Sequence, residues 1–238
     1  MKRLIALLAA LWLLPLASLA AEAIPTAYSL PDAPPPFAPA HEPTGDDYFA
    51  DAVFIGDSMM ECVEMYDLFP TANIICRSGI SSADANWRIF RVRGQEEPMN
   101  IYEMTEYYPH AKIYVMLGAN SLDIKRSDEA LADYRVMIDD MIRRFPDSLI
   151  FVISPPPPTK KAMKTLNLGP LRWVNFRDGL LELIRERGLY FLDYYALMAD
   201  DEGYMIDRYD GGDGAHPSKS GLQLMENLVR THTLEISE

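Results

Sequence analysis

Val53-Phe54-Ile55-Gly56-Asp57-Ser58-Met59-Met60 is the stretch that decides how this chain is read. Val53 to Ile55 is an apolar run of strand type. It ends abruptly at Gly-Asp-Ser, and a helix-capable stretch follows. A serine at such a strand-to-helix junction sits where backbone N–H groups and the helix dipole favour negative charge. Taken alone, Ser58 reads first as a plain N-cap.

Outward from this junction, apolar strands alternate with amphipathic helices. Asn73–Cys76, Lys112–Leu117, Leu149–Ser154 and Leu189–Leu192 read as four further strands. Ser127–Phe145 carries Ala130, Leu131, Tyr134, Met137, Ile138, Met141 and Ile142 at helical spacing, with Ser127 as the expected N-cap. Leu171–Arg187, stopped by Gly188, and Ser218–Thr231 read as two more helices. Continuous apolar strands alternating with helices imply an α/β fold, a parallel sheet of about five strands covered on both faces. Ligands of such sheets bind beyond the carboxyl ends of the strands.

The candidate chemistry falls at those ends. Gly79 follows the second strand and can present its N–H to a ligand without a side chain in the way. Asn120 follows the third, and its amide is a neutral donor suited to an oxyanion. Asp213 and His216 share the last glycine-rich loop, Gly211-Gly212-Asp213-Gly214-Ala215-His216-Pro217. A histidine can take a serine proton, and a carboxylate can hold its tautomer. Each element alone is commoner as a turn or cap; their order gives them weight. The other histidines, His41, His110 and His232, have no such partner in sequence and read as surface residues.

Ile55-Gly56-Asp57-Ser58, Gly79, Gly118-Ala119-Asn120 and Asp213-Gly214-Ala215-His216 together resemble the four blocks of the SGNH, or GDSL-type, hydrolases, over residues 52 to about 230. The resemblance implies Ser58 as nucleophile, His216 as base and Asp213 as its orienting carboxylate. It implies an oxyanion hole of the Ser58 and Gly79 N–H groups and the Asn120 amide. It also implies a flavodoxin-like three-layer α/β/α sandwich that uses no metal or organic cofactor. Met59 stands where the eponymous motif has leucine, and Ser121 where the third block often has aspartate. The Pro155–Pro158 run is expected to shape the rim. Trp87, Arg88 and Trp173 are candidate substrate contacts, although such residues more often serve core or rim packing.

The rest of the 238 residues sets the context. Lys2 and Arg3, the apolar Leu4–Leu19 and the small residues of Ser18-Leu19-Ala20 read as a secretory signal over 1–20. Prolines 25, 31, 34, 35, 36, 39 and 43 make residues 21–48 a tether to a domain over 49–238. Loss of Lys2 and Arg3 takes the net charge from −13 to −15. That surface repels nucleic acid and anionic lipid. The expected protein is a secreted monomer, not inserted in a membrane after cleavage. Cys62 and Cys76 are expected as two buried free thiols, although an exported chain permits a bridge.

Two rival sites fail on spacing. Asp207, Asp210 and Asp213 do not fit an EF-hand loop, which needs Glu at its twelfth position. No Gly-x-Ser-x-Gly elbow of an ordinary α/β-hydrolase occurs. The expected activity is hydrolysis of short acyl esters on carbohydrate or cell-wall polymers. The alternatives are a lysophospholipase or lipase, an O-acyltransferase, or a non-catalytic carbohydrate-binding module on the same scaffold.

Overall fold

A computed structural model describes residues 35–88 and 98–234. The expected signal over 1–20 and the first part of the proline-rich segment lie outside the described residues.

The elements run β1 (Ala52–Gly56), α1 (Ser58–Met65), β2 (Asn73–Cys76), α2 (Ile101–Tyr107), β3 (Lys112–Met116), α3 (Ala119–Ile124), α4 (Ser127–Arg144), β4 (Leu149–Ile153), α5 (Lys160–Thr165), α6 (Leu171–Arg187), β5 (Tyr190–Leu192), α7 (Tyr194–Met198) and α8 (Lys219–Thr231). The five strands form one parallel sheet in the order β2-β1-β3-β4-β5. This is the expected three-layer α/β/α sandwich.

Strand alternation sorts the core into two layers. Val53, Ile55, Ile113, Val115, Ile150, Val152 and Phe191 face one side and pack on α2, α4 and α6. Phe54, Tyr114, Met116, Phe151, Ile153, Tyr190 and Leu192 face the other and pack on α1, α7 and α8. On that second face the register places Phe54 beside Tyr114 and Tyr114 beside Phe151. Their rings stack at centroid separations of 4.5 and 4.7 Å. This aromatic row ties three adjacent strands and fixes their relative height.

Two local expectations are corrected. Ser127 does not cap α4: its hydroxyl donates to the Arg172 carbonyl at 2.9 Å, tying α4 to the start of α6. The helix start is closed instead by Glu129, which accepts from the Arg126 N–H at 3.0 Å. From Pro35 onward the proline-rich segment is docked and not a free tether. The Pro36 carbonyl accepts from the Phe191 N–H at 2.7 Å, covering the outer edge of β5. The His41 and Thr44 N–H groups donate to the carbonyls of Thr231 and Arg230, each at 2.9 Å. Proline lacks an N–H but keeps its carbonyl, so such a segment can still cover a sheet edge.

Phe151 stands at the centre of β4, between β3 and β5, and is fully buried. Phe151→Ala is expected to cost about 3–5 kcal/mol in urea unfolding. A loss under about 1 kcal/mol would show that the aromatic row does not hold the strands.

Candidate active site

The sheet order reverses at β1. The chain goes from β1 to β2 on one side and returns to β3 on the other. The crevice between the carboxyl ends of β1 and β3 is therefore the switch point of the sheet. Ser58 opens α1 directly after β1, and Asn120 lies in the first turn of α3 after β3.

His216 arrives from the loop before α8 and closes the group. Its Nε2 lies 2.8 Å from the Ser58 Oγ, and its Nδ1 lies 2.6 Å from the Asp213 Oδ2. The Asp213 Oδ1 accepts from the N–H groups of Ala215 and His216, each at 2.9 Å. Partial burial by itself raises the Asp213 pKa, but these two backbone bonds and the imidazole outweigh it and hold the carboxyl at about 2. An ionised carboxylate only accepts, so Nδ1 carries the proton and Nε2 turns its lone pair to the serine hydroxyl.

The loop is braced by a residue whose part is not evident in the sequence. The Asp210 Oδ1 accepts from Gly212 N–H at 2.9 Å and Gly214 N–H at 2.8 Å. The Gly214 carbonyl in turn accepts from Thr159 N–H at 2.8 Å, just past the proline run. Asp210 and Asp213 thus engage loop amides. Among the described residues no three His, Cys, Asp or Glu side chains are grouped to hold a metal ion.

Of the three expected oxyanion donors, two are open. The Ser58 and Gly79 N–H groups have no partner among the described residues. Gly79 sits at φ +78°, a conformation that glycine adopts without strain. The third, Asn120, has both amide protons engaged. One goes to the Asp57 Oδ2 at 2.8 Å and the other to the Ile80 carbonyl at 3.0 Å. Gly118 sets the position of Asn120. It lies at φ +124°, and a Cβ there would come within 2.6 Å of the Phe176 ring.

Asp57 is the second residue sequence reasoning missed. It precedes Ser58, is only 2% exposed, and caps α1 by accepting from Met59 N–H at 3.0 Å. Burial pushes its pKa to about 6, partly offset by the Met59 bond, the nearby His216 and the Asn120 bond. The available signal was its place as N-cap between the strand and the serine.

A pocket of about 130 Å³ opens beside Ser58. Met59, Ala119, Pro156, Pro158 and Trp173 form its apolar wall, and Asp123 stands at it as a polar group. Two of the run prolines thus shape it, as expected. Trp173 is a buried wall, 2% exposed, and not a platform above the cleft. Trp87 and Arg88 are not among the residues lining this pocket. Trp87 is 60% exposed and donates to the Ala83 carbonyl at 2.9 Å, while Arg88 stacks on its ring. A second cavity of about 310 Å³, lined by Thr159, Lys161, Thr165 and Asp210 among others, shares Ala215 with the first. Cys62 and Cys76 are free thiols, half-buried where full burial was expected.

The Asp57 shift carries a stability prediction. Its pKa is about 6 when folded against 3.8 unperturbed. Between those values the folded state holds a proton that the unfolded state has lost, so this group's contribution to stability falls as pH rises. Above pH 6 the cost is complete, at about 3 kcal/mol. Asp57→Asn keeps a capping residue and removes the titration. The unfolding free energy of the variant, relative to the parent, is expected to rise between pH 4 and 7. An unchanged difference across that range would show that Asp57 does not carry the cost. Gly118→Ala is expected to lower activity at least about tenfold by displacing α3, read against a fold check by circular dichroism.

Comparison with known proteins agrees with this architecture. No curated protein matches the sequence. Among solved structures, the chain is similar to a candidate acylhydrolase from Bacteroides fragilis, at 17% identity and TM-score 0.60, covering 75% of this chain and 83% of that one. It is similar to a GDSL-like lipase from Bacteroides thetaiotaomicron, at 16% identity and TM-score 0.59, covering 75% and 84%. A mutant of an acetyl-xylooligosaccharide esterase from Geobacillus matches at 15% identity and TM-score 0.55, covering 77% and 94%. At such identities the likeness speaks for the fold. A family model reaches further, matching residues 54–224, from β1 into α8. The chain belongs to the GDSL-like lipase/acylhydrolase family.

Proposed function

We propose that this protein is an exported serine esterase that removes short acyl groups, acetyl foremost, from carbohydrate or cell-wall polymers. The observation that carries the reading is His216 placed between the Ser58 hydroxyl at 2.8 Å and the Asp213 carboxylate at 2.6 Å. In this mechanism His216 takes the Ser58 proton as Oγ attacks the ester carbonyl. The tetrahedral oxyanion is held by the Ser58 and Gly79 N–H groups and by Asn120. His216 then gives its proton to the leaving alcohol, and the acyl group stays on Ser58. A water, deprotonated by the same imidazole, attacks that acyl-enzyme and releases the acid.

The size of the pocket supports the acyl preference. Its volume of about 130 Å³ is well under the roughly 300–1,000 Å³ of pockets that enclose drug-sized ligands, which suits a short acyl group better than a long chain. The neighbouring 310 Å³ cavity, with Thr159, Lys161, Thr165 and Asp210 on its wall, suits a hydroxyl-rich alcohol. Removal of the expected signal, with its two positive charges, leaves a strongly acidic surface that disfavours anionic lipid. A lysophospholipase or lipase is the second reading. It is favoured by the exposed apolar Ile124 and Leu171, on the helices that carry Asp123 and Trp173, and by the exposed Leu166 on the wall of the 310 Å³ cavity.

The test combines labelling with a chain-length series. A fluorophosphonate is expected to label the protein and to leave Ser58→Ala unlabelled. Ser58→Ala and His216→Ala are expected to lose at least about 10⁴-fold in turnover of an activated acetyl ester. Among nitrophenyl esters kcat/KM is expected to fall beyond four carbons, and Trp173→Ala to move that limit to longer chains. Acetylated xylan and peptidoglycan then distinguish the polymers. Near-parental turnover in His216→Ala ends the serine esterase reading. A preference for long chains in the parent protein favours the lipase instead.

A further inference from the structure

Asn120 bridges the ends of three strands with a single amide group. One proton goes to the carboxylate of Asp57, after β1, and the other to the carbonyl of Ile80, after β2, while Asn120 itself follows β3. The acceptors are unequal. A bond to a carboxylate is charge-assisted and roughly twice as strong as one to a neutral carbonyl. Asp57 is also held at both oxygens. It is buried, and its second oxygen is held by the Met59 N–H at 3.0 Å. An oxygen that gains negative charge beside Ser58 therefore competes for the Ile80-bound proton and leaves the Asp57-bound one in place.

We propose that Asp57 is the positioning residue of the oxyanion site, gripping one N–H of the Asn120 amide so that the other N–H exchanges its hydrogen bond to the Ile80 carbonyl for one to the developing oxyanion. The inference rests on the serine esterase reading above. It assigns Asp57 a part beyond capping α1. The opposing physics is clear. A carboxylate near a developing oxyanion repels it, so if Asp57 only capped the helix, removing its charge would leave turnover unchanged or raise it.

Four proteins decide the matter: the parent, Asp57→Asn, Asn120→Ala and the double variant, each assayed for kcat and KM on an activated acetyl ester. Asn120→Ala is expected to lose about 10²–10³-fold in kcat. Asp57→Asn, which keeps a capping side chain but cannot serve both bonds as acceptor, is expected to lose about 10–100-fold in kcat with little change in KM. The double variant is expected to be no slower than Asn120→Ala within about twofold, because the grip has nothing left to hold. Asp57→Ser keeps a cap but is too short to reach Asn120, and it is expected to behave as Asp57→Asn. It also stands in if the asparagine variant fails to fold. Parental or faster turnover in the folded Asp57 variants overturns the proposal, as do losses that multiply in the double variant. Ser58→Ala is run alongside: retained turnover there marks failure of the esterase reading and not of the Asp57 assignment.

Discussion

The parallel pairing of β1 with β3 is the constraint on which the rest of the molecule depends. Its register sets Gly56 beside Met116, and the pairing of β1 with β2 on the other side sets Gly56 beside Cys76. Three strands thereby end at one level, and the chain leaves them in loops that need only a few residues to meet. Ser58, Gly79 and Asn120 lie two, three and four residues past those ends. The buried row of Phe54, Tyr114 and Phe151 ties β1 to β3, and β3 to β4, at that height. A slip of one strand would turn its core face outward and carry a donor away from the serine.

Two carboxylates flank the same histidine and are driven in opposite directions. Asp213 sits in a turn whose amides hold it ionised, with its pKa at about 2. Asp57 is enclosed by protein, and its pKa is pushed to about 6. The first is cheap to keep charged because the loop supplies the solvation water would have given. The second costs stability at neutral pH. Such a cost is tolerated where a group organises its neighbours, and Asp57 contacts both the helix start at Ser58 and the amide of Asn120.

Much of this was legible in the sequence because it depends on chain order and periodicity. The five strands follow from short apolar runs, the helix over Ser127–Arg144 from its apolar spacing, and the end of the helix over Leu171–Arg187 from the glycine that follows it. Ser58, Asp213 and His216 were visible as polar residues at strand ends and in a glycine loop. What stayed hidden depends on contacts between distant segments. Asp210 reads as part of an acidic run until its carboxylate is seen accepting two loop amides. Asp57 reads only as the middle of the Gly-Asp-Ser junction until its carboxylate is seen capping α1 and holding Asn120. The docking of Pro36 on β5 has no local signature, since it uses a carbonyl that every residue has. Trp87 and Arg88 follow the second block closely in sequence, yet they stack on one another and not on the pocket wall.

The central claim is that acyl transfer passes through Ser58. It is tested most directly by acid-quenching the protein during turnover of an activated acetyl ester and measuring the masses of its proteolytic fragments. One added acetyl group is expected on the fragment containing Ser58, present during turnover and gone after substrate is exhausted. Accumulation of that acetyl group on another residue at a rate matching turnover would contradict the claim.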